Sequence, residues 1–180
     1  MKNKKLVYIT QTAVMLALLI GVQFATRSFS QFVTGALVNL ILLTSVFMTG
    51  FSGGLTVAIA SPFLAFLAGF GPAFIQIVPF IAAGNAILVS LAWVVRKRMT
   101  RFGAKDTCFA AIGLIAASAA KFLFLWVGLV AIALPLIPGI QEKQMEVIGA
   151  AFTWPQLVTA LIGSALAMII VPLLKKAIKQ

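Results

Sequence analysis

The stretch Pro72 to Arg98, PAFIQIVPFIAAGNAILVSLAWVVRKR, decides how the rest of the chain is read. It carries no charge as far as Val95, and then three bases, Arg96, Lys97 and Arg98, follow at once. A bilayer core about 30 Å thick is crossed by a helix of about 20 apolar residues. Bases stacked directly after such a run mark the cytoplasmic flank of a membrane helix. Pro79 and Gly84 do not contradict that reading, because both residue types are common in membrane helices.

Working outward from this run, the same pattern recurs along the chain. It predicts an all-α integral membrane protein, a six-transmembrane-helix bundle forming one domain over residues 1–180. The expected spans are at about 6–25, 32–49, 54–68, 72–95, 107–134 and 152–174, each judged against the length a bilayer needs. The third is short and holds Pro62; the sixth has Pro155 in its first turn and Pro172 near its end. Gly50-Phe51-Ser52-Gly53-Gly54 reads as a turn, and Pro135–Ala151 as the longest connecting loop. The first run is long and lacks a small-residue cleavage site, so it reads as a span and not as a signal peptide.

Composition agrees. The chain is 62% hydrophobic and 9% charged, with mean hydropathy +1.14. A typical soluble chain is about 45–50% apolar and about 25% charged. Fourteen Lys+Arg against three Asp+Glu give a net charge of +11, which invites a nucleic-acid reading. The distribution of the bases argues otherwise. With six spans, Lys2, Lys4, Lys5, Arg96, Lys97, Arg98, Arg101, Lys105, Lys175, Lys176 and Lys179 share one side. Only Arg27 and Lys143 fall opposite, and Lys121 falls within a span. This asymmetry predicts cytoplasmic termini, a lipid partner and no nucleic acid. An odd span count would place one terminal Lys cluster outside.

The residue inventory also excludes much chemistry. With no His, there is no Ser-His or Cys-His nucleophile pair and no imidazole metal ligand. Cys108 stands alone, so neither a thiolate cluster nor an internal disulfide is available. The acids are Asp106, Glu142 and Glu146, and none lies within a span. No G-x-x-x-x-G-K-[ST] phosphate loop occurs. An enzyme, a metal site and a bound cofactor are therefore not expected of this chain.

Polar groups inside spans cost free energy, so their positions carry information. Lys121 lies about 21 Å into the fifth span at about 1.5 Å per residue, near mid-membrane. A lysine there costs at least about 2.5 kcal/mol on insertion scales. It is expected to face the bundle interior or a water-filled pocket, held by carbonyls, by a partner subunit or by a ligand anion. Arg27, at the end of the first span, suits a carboxylate in bidentate fashion, or a lipid headgroup. Asn39, Gln76 and Asn85 serve either as interhelical amides or as ligand contacts. Trp126, Trp154 and Gln156 cluster toward the same side as Arg27, with the two rings read as an interfacial belt or as pocket walls. Ala13 and Ala17 make a small-xxx-small step on which another helix could pack closely.

The whole pattern resembles the substrate-binding S component of energy-coupling factor (ECF) vitamin transporters. The resemblance spans essentially the full chain. It rests on Ala13-xxx-Ala17, on Val33-Thr34-Gly35-Ala36-Leu37-Val38-Asn39, on Ala60-Ser61-Pro62-Phe63-Leu64-Ala65-Phe66, and on Val78-Pro79-Phe80-Ile81-Ala82-Ala83-Gly84-Asn85-Ala86. It is strongest to pantothenate-type members, with cobalamin the nearest rival ligand. The resemblance implies a multi-pass protein of the bacterial cell membrane that captures a vitamin at the outer face beneath a lid of outer loops. It also implies docking through Ala13 and Ala17 onto a scaffold membrane subunit with two cytoplasmic ATPase subunits. Those subunits, and not this chain, would use ATP and Mg. A pantothenate carboxylate would suit Arg27, and its hydroxyl and amide groups Asn39, Gln76 or Asn85. The competing class is an autonomous secondary transporter, which usually shows inverted repeats and intramembrane acids; neither is visible in the sequence.

Overall fold

A computed structural model describes residues 4–99 and 103–178 of the chain. Of the bases used above to orient it, Lys2, Arg101, Lys179 and the side chain of Lys4 lie outside the described residues. The described chain is helical throughout, with no strand. Seven helices follow in order: α1 Lys4–Thr26, α2 Gln31–Thr49, α3 Phe51–Leu67, α4 Val78–Val94, α5 Ala104–Leu123, α6 Glu142–Ala151 and α7 Trp154–Ile178. Five helical stretches among the described residues are long and apolar enough to cross a membrane, and α3 is an apolar helix of 17 residues.

α2 is the centre, packing on α1, α3, α4 and α7, while α5 closes the bundle against α4 and α7. Polarity is inverted relative to a water-soluble domain. Leu6, Ile9, Val14, Leu18, Ile112, Ile115 and Ile169 are exposed, whereas Asn39, Asn85, Ser118, Lys121, Thr159 and Ser164 are buried. Extended exposed apolar surface of this kind needs lipid or a partner to cover it. Among the described residues of α1, only Thr12 and Leu19 are buried, so most of this helix faces outward.

Several local expectations are corrected. Only Gly50, at φ 88°, makes the turn between α2 and α3. Gly53 and Gly54 lie inside α3, because the helix runs hard against Thr12, Thr49 and Val46 there and a Cβ would collide. The span expected from Pro72 starts as a helix later. Ile75–Ile77 is a single 3-10 turn, and α4 begins at Val78 with Pro79 in its first turn. Proline fits there because the N–H it lacks has no helical partner at that position. α5 continues past Leu123 as a π-helical stretch, Phe124–Ala133, and a 3-10 turn, Leu134–Leu136. The loop expected over Pro135–Ala151 folds in part into α6, started by a capping box in which the Gln141 and Gln144 side chains each meet the other's backbone.

Two ends can be named by their contents. One gathers the α2–α3 turn, where Phe51 meets Trp93, with the α4–α5 connection and the end of α7. There Arg98 pairs with Asp106. The other end, called the Arg27 end below, holds the α1–α2 connection, Phe70 to Ala73, and α6. Thr34 Oγ1 donates to the Thr26 carbonyl at 2.9 Å and fixes the α1–α2 corner.

Helix association in lipid gains little from the hydrophobic effect and depends on close packing. The α2–α7 seam shows this. Gly35 lies against Thr159, and Gly163 sits so close to α2 that a Cβ would fall 2.6 Å from Asn39 Cβ and 2.8 Å from the Leu40 nitrogen. Gly163→Ala is therefore expected to cost about 1–3 kcal/mol by overpacking. Gly21→Ala, where a Cβ meets nothing within 4 Å, is expected to be neutral or slightly stabilising. Thermal unfolding of the two variants in detergent checks this, and equal midpoints would remove the packing argument.

Candidate functional site

Three of the polar residues met inside the apolar runs converge on one point. From Gln31 to Asn39, α2 rises about 12 Å, and from Val78 to Asn85, α4 rises about 10 Å, at about 1.5 Å per residue. Both amides therefore reach a similar depth below the Arg27 end. α5 brings Lys121 to them from the opposite direction. Lys121 Nζ donates to Asn39 Oδ1 at 2.7 Å and to Asn85 Oδ1 at 2.8 Å. All three residues are buried. The orientation of the Asn39 amide is set by its other half: Nδ2 donates to the Gly35 carbonyl at 2.9 Å and lies 3.4 Å from Thr159 Oγ1. Asn39 must then present its oxygen to Lys121.

The lysine charge is thus held by neutral dipoles. Lys121 forms no salt bridge among the described residues, and of the three acids Asp106 stands in the first turn of α5, at the far end of the helix from Lys121, while Glu142 and Glu146 lie in α6. Two amide oxygens satisfy two of the three ammonium protons.

Above this cluster lies a cavity of about 490 Å³, open toward the Arg27 end. Asn39, Asn85 and Lys121 form its floor, Ile77, Ile81 and Phe70 contribute apolar wall, and Arg27, Gln31 and Gln156 stand toward its mouth. None of the three acids lines it. This size and mixture, mostly apolar wall with a few polar groups, suits a small-molecule site. α6 borders the mouth with Val147, Ile148 and Ala151. It is held there by Gln31, whose amide donates to the Ala151 carbonyl, and by Gln156, which donates to the same oxygen at 3.3 Å.

The structure thus brings Arg27, Asn39, Asn85, Lys121 and Gln156 to one cavity. Gln76, Trp126 and Trp154 are not among its lining residues. Gln76 is exposed in the 3-10 turn before α4. Trp126 is 46% exposed and stacks on Phe122, its neighbour on the same helix, and Trp154 is 61% exposed beside Phe32. Both rings thus face outward, away from the cavity. Arg27 is exposed, its guanidinium 4.6 Å over the Phe24 ring.

Sequence reading missed Gln23, Gln31, Thr34 and Ser61 in the lining. Gln23 is the most informative of these. Its Oε1 is buried and has no hydrogen-bond partner among the described residues. The signal was present: Gln23 is an amide within an apolar run, like Asn39.

A second concavity runs along α1. Ala13, Ala17 and Gly21, each one helical turn apart, are exposed and form a shallow groove with Leu16, Ile20 and Leu64. Phe70 lines both this groove and the cavity. Among the described residues no group of His, Cys, Asp and Glu could hold a metal. Comparison with protein-family models, curated proteins and solved structures finds no match.

The amide cluster makes a thermodynamic prediction. Asn85→Leu leaves Lys121 short of one acceptor and is expected to destabilise the chain by about 1.5–3 kcal/mol, the range for hydrogen bonds to charged groups. Adding Lys121→Met removes the charge that needed it, so the double variant should be more stable than the sum of the two singles by about 1 kcal/mol or more. Unfolding of all four proteins in detergent measures the coupling, and simple additivity would mean that the pair does not interact.

Proposed function

We propose that this chain is a substrate-binding S component of the ECF type, a multi-pass protein of the bacterial cell membrane that captures a water-soluble vitamin. Six helices, α1 to α5 and α7, span the membrane, with both termini cytoplasmic and the Arg27 end outside. The observation that carries the reading is the cavity itself. It opens at one end of an apolar bundle and ends on a buried cation with no counter-ion among the described residues. The orientation is supported by the bases: Arg96, Lys97, Lys105, Lys175 and Lys176 lie on segments of the end opposite Arg27.

Pantothenate is the best-matched vitamin. It is an anion with hydroxyl and amide groups, which suits a site holding Arg27, Lys121 and several amides. A cavity of about 490 Å³ is small for a corrinoid, which weakens the cobalamin alternative. Uptake would be powered by a scaffold membrane subunit and two ATPase subunits, which bind ATP and Mg. The exposed Ala13-Ala17 groove on α1 supplies a face for that scaffold. A helix with so few buried residues leaves close-approach surface for another membrane helix.

Purified protein is expected to bind radiolabelled pantothenate without ATP. Right-side-out vesicles should bind it and inside-out vesicles should not. Absence of binding across a panel of water-soluble vitamins would discard the reading. Proteoliposomes holding this chain alone, if they accumulated label under a proton or sodium gradient, would favour the secondary-transporter alternative instead.

Ala17→Trp is expected to leave vitamin binding intact and to abolish uptake by cells that contain the partner subunits. Normal uptake by this variant would remove the docking assignment from α1.

A further inference from the structure

We propose that the floor of the cavity is a carboxylate site, with Lys121 and Asn85 as its donors, so that the ligand binds acid end deepest and Arg27 does not hold its charge. This deepens the vitamin-capture reading and rests on it. The class of ligand that follows is a small monocarboxylate bearing a hydrogen-bond donor nearer the mouth.

Four observations lead there. First, the Lys121 ammonium has three protons, and Asn39 Oδ1 and Asn85 Oδ1 accept two of them. The third is left for a group in the cavity that Lys121 lines. Second, Asn85 gives its oxygen to Lys121, and its Nδ2 makes no hydrogen bond among the described residues. The cavity floor therefore offers an ammonium proton and an amide proton side by side, which matches the two oxygens of a carboxylate. Third, the positive charge is buried among neutral groups, so an anion arriving there gains an interaction that water no longer screens. One cation matches one negative charge. A phosphate monoester would bring a second charge that nothing at the floor neutralises, which is costly in a low-dielectric interior.

Fourth, Arg27 and Lys121 stand at different levels. Arg27 is exposed at the mouth, beyond the end of α1, whereas Lys121 is 3% exposed. Exposed charge attracts an anion during approach, and buried charge discriminates between partners once bound. Between them lies Gln23, one turn or about 6 Å below Arg27 along α1. Its buried Oε1 has no donor among the described residues, and it accepts the ligand's hydroxyl or amide proton.

The test measures equilibrium binding for three pairs that differ at the acid end: pantothenate and panthenol, biotin and biotinamide, nicotinate and nicotinamide. Wild type should prefer the acid of the pair it binds by about 30-fold or more, the scale for a buried charge pair. Lys121→Met should bring acid and neutral affinities within about 3-fold, mainly by weakening the acid. Retained binding of the neutral member shows that this variant is folded. Asn85→Asp gives Lys121 an internal counter-ion and should likewise erase the preference. Arg27→Ala should keep it.

A preference that persists in Lys121→Met and vanishes in Arg27→Ala would overturn the assignment and return the carboxylate to the mouth. Equal wild-type affinity within a pair, or capture of a neutral or cationic vitamin instead, would also overturn it while leaving vitamin capture standing. If wild type bound no vitamin at all, both readings would fall together.

Discussion

A single buried ammonium group, that of Lys121, sets the terms for the middle of this protein. An unpaired charge at such a position is so costly that it must be surrounded by dipoles. Asn39 and Asn85 supply them from two separate helices. α2, α4 and α5 are therefore tied in register by one nitrogen atom. The tie extends further, since Asn39 is itself oriented by the Gly35 carbonyl and Thr159. Four helices thus meet in a polar network whose geometry is specified by hydrogen bonds, where apolar packing alone would leave it loose.

That network requires close backbones. Thr159 can approach Asn39 only because Gly35 and Gly163 remove the side chains that would hold α2 and α7 apart. Ser118 and Ser164, 3.1 Å apart, link α5 to α7 in the same layer. Small residues, interhelical polar contacts and the site are therefore parts of one construction. The apolar residues that dominate the composition face outward, where lipid can cover them, fill the half of the bundle away from the cavity, around Leu42, Val46, Leu88 and Leu114, or back the cavity wall around Ile77, Leu125 and Leu129.

Legibility in the sequence followed the same division. Apolar runs and flanking bases located the long helices, because length and hydropathy are properties of contiguous residues. Lys121, Asn39 and Asn85 stood out because a polar group in an apolar run must be explained. Their mutual contact was not legible: it depends on the register of three helices, which periodicity in a uniformly apolar segment does not report. Gly53 and Gly54 looked like a turn because glycine signals either a turn or a close helix contact, and only the neighbouring Val46 and Thr49 decide. α6 was hidden because its charged residues resembled a solvated loop, although Gln141 and Gln144 already had capping-box spacing. Trp126 and Trp154 carried two readings at once, belt and wall, and which way a ring points is a property of helix rotation alone.

The cavity and the α1 groove are not independent surfaces. Phe70 belongs to the wall of both, and its ring meets Phe24 edge-on at 5.8 Å, while Phe24 also lies under the Arg27 guanidinium. On the reading proposed above, the helix that a partner would grip is the helix that carries Gln23 and leads into Arg27. A partner packing against Ala13 and Ala17 would bear on Leu16, Ile20 and Phe24, and through Phe24 on Phe70. Packed side chains transmit such a displacement because interiors have little free volume to absorb it. The acid end of a ligand held at Lys121 would rest on α2, α4 and α5 instead, outside the helix being gripped. On that reading the floor that holds the ligand's acid end would stay with α2, α4 and α5, while the groove that the partner grips lies on α1, of whose described residues only Thr12 and Leu19 are buried.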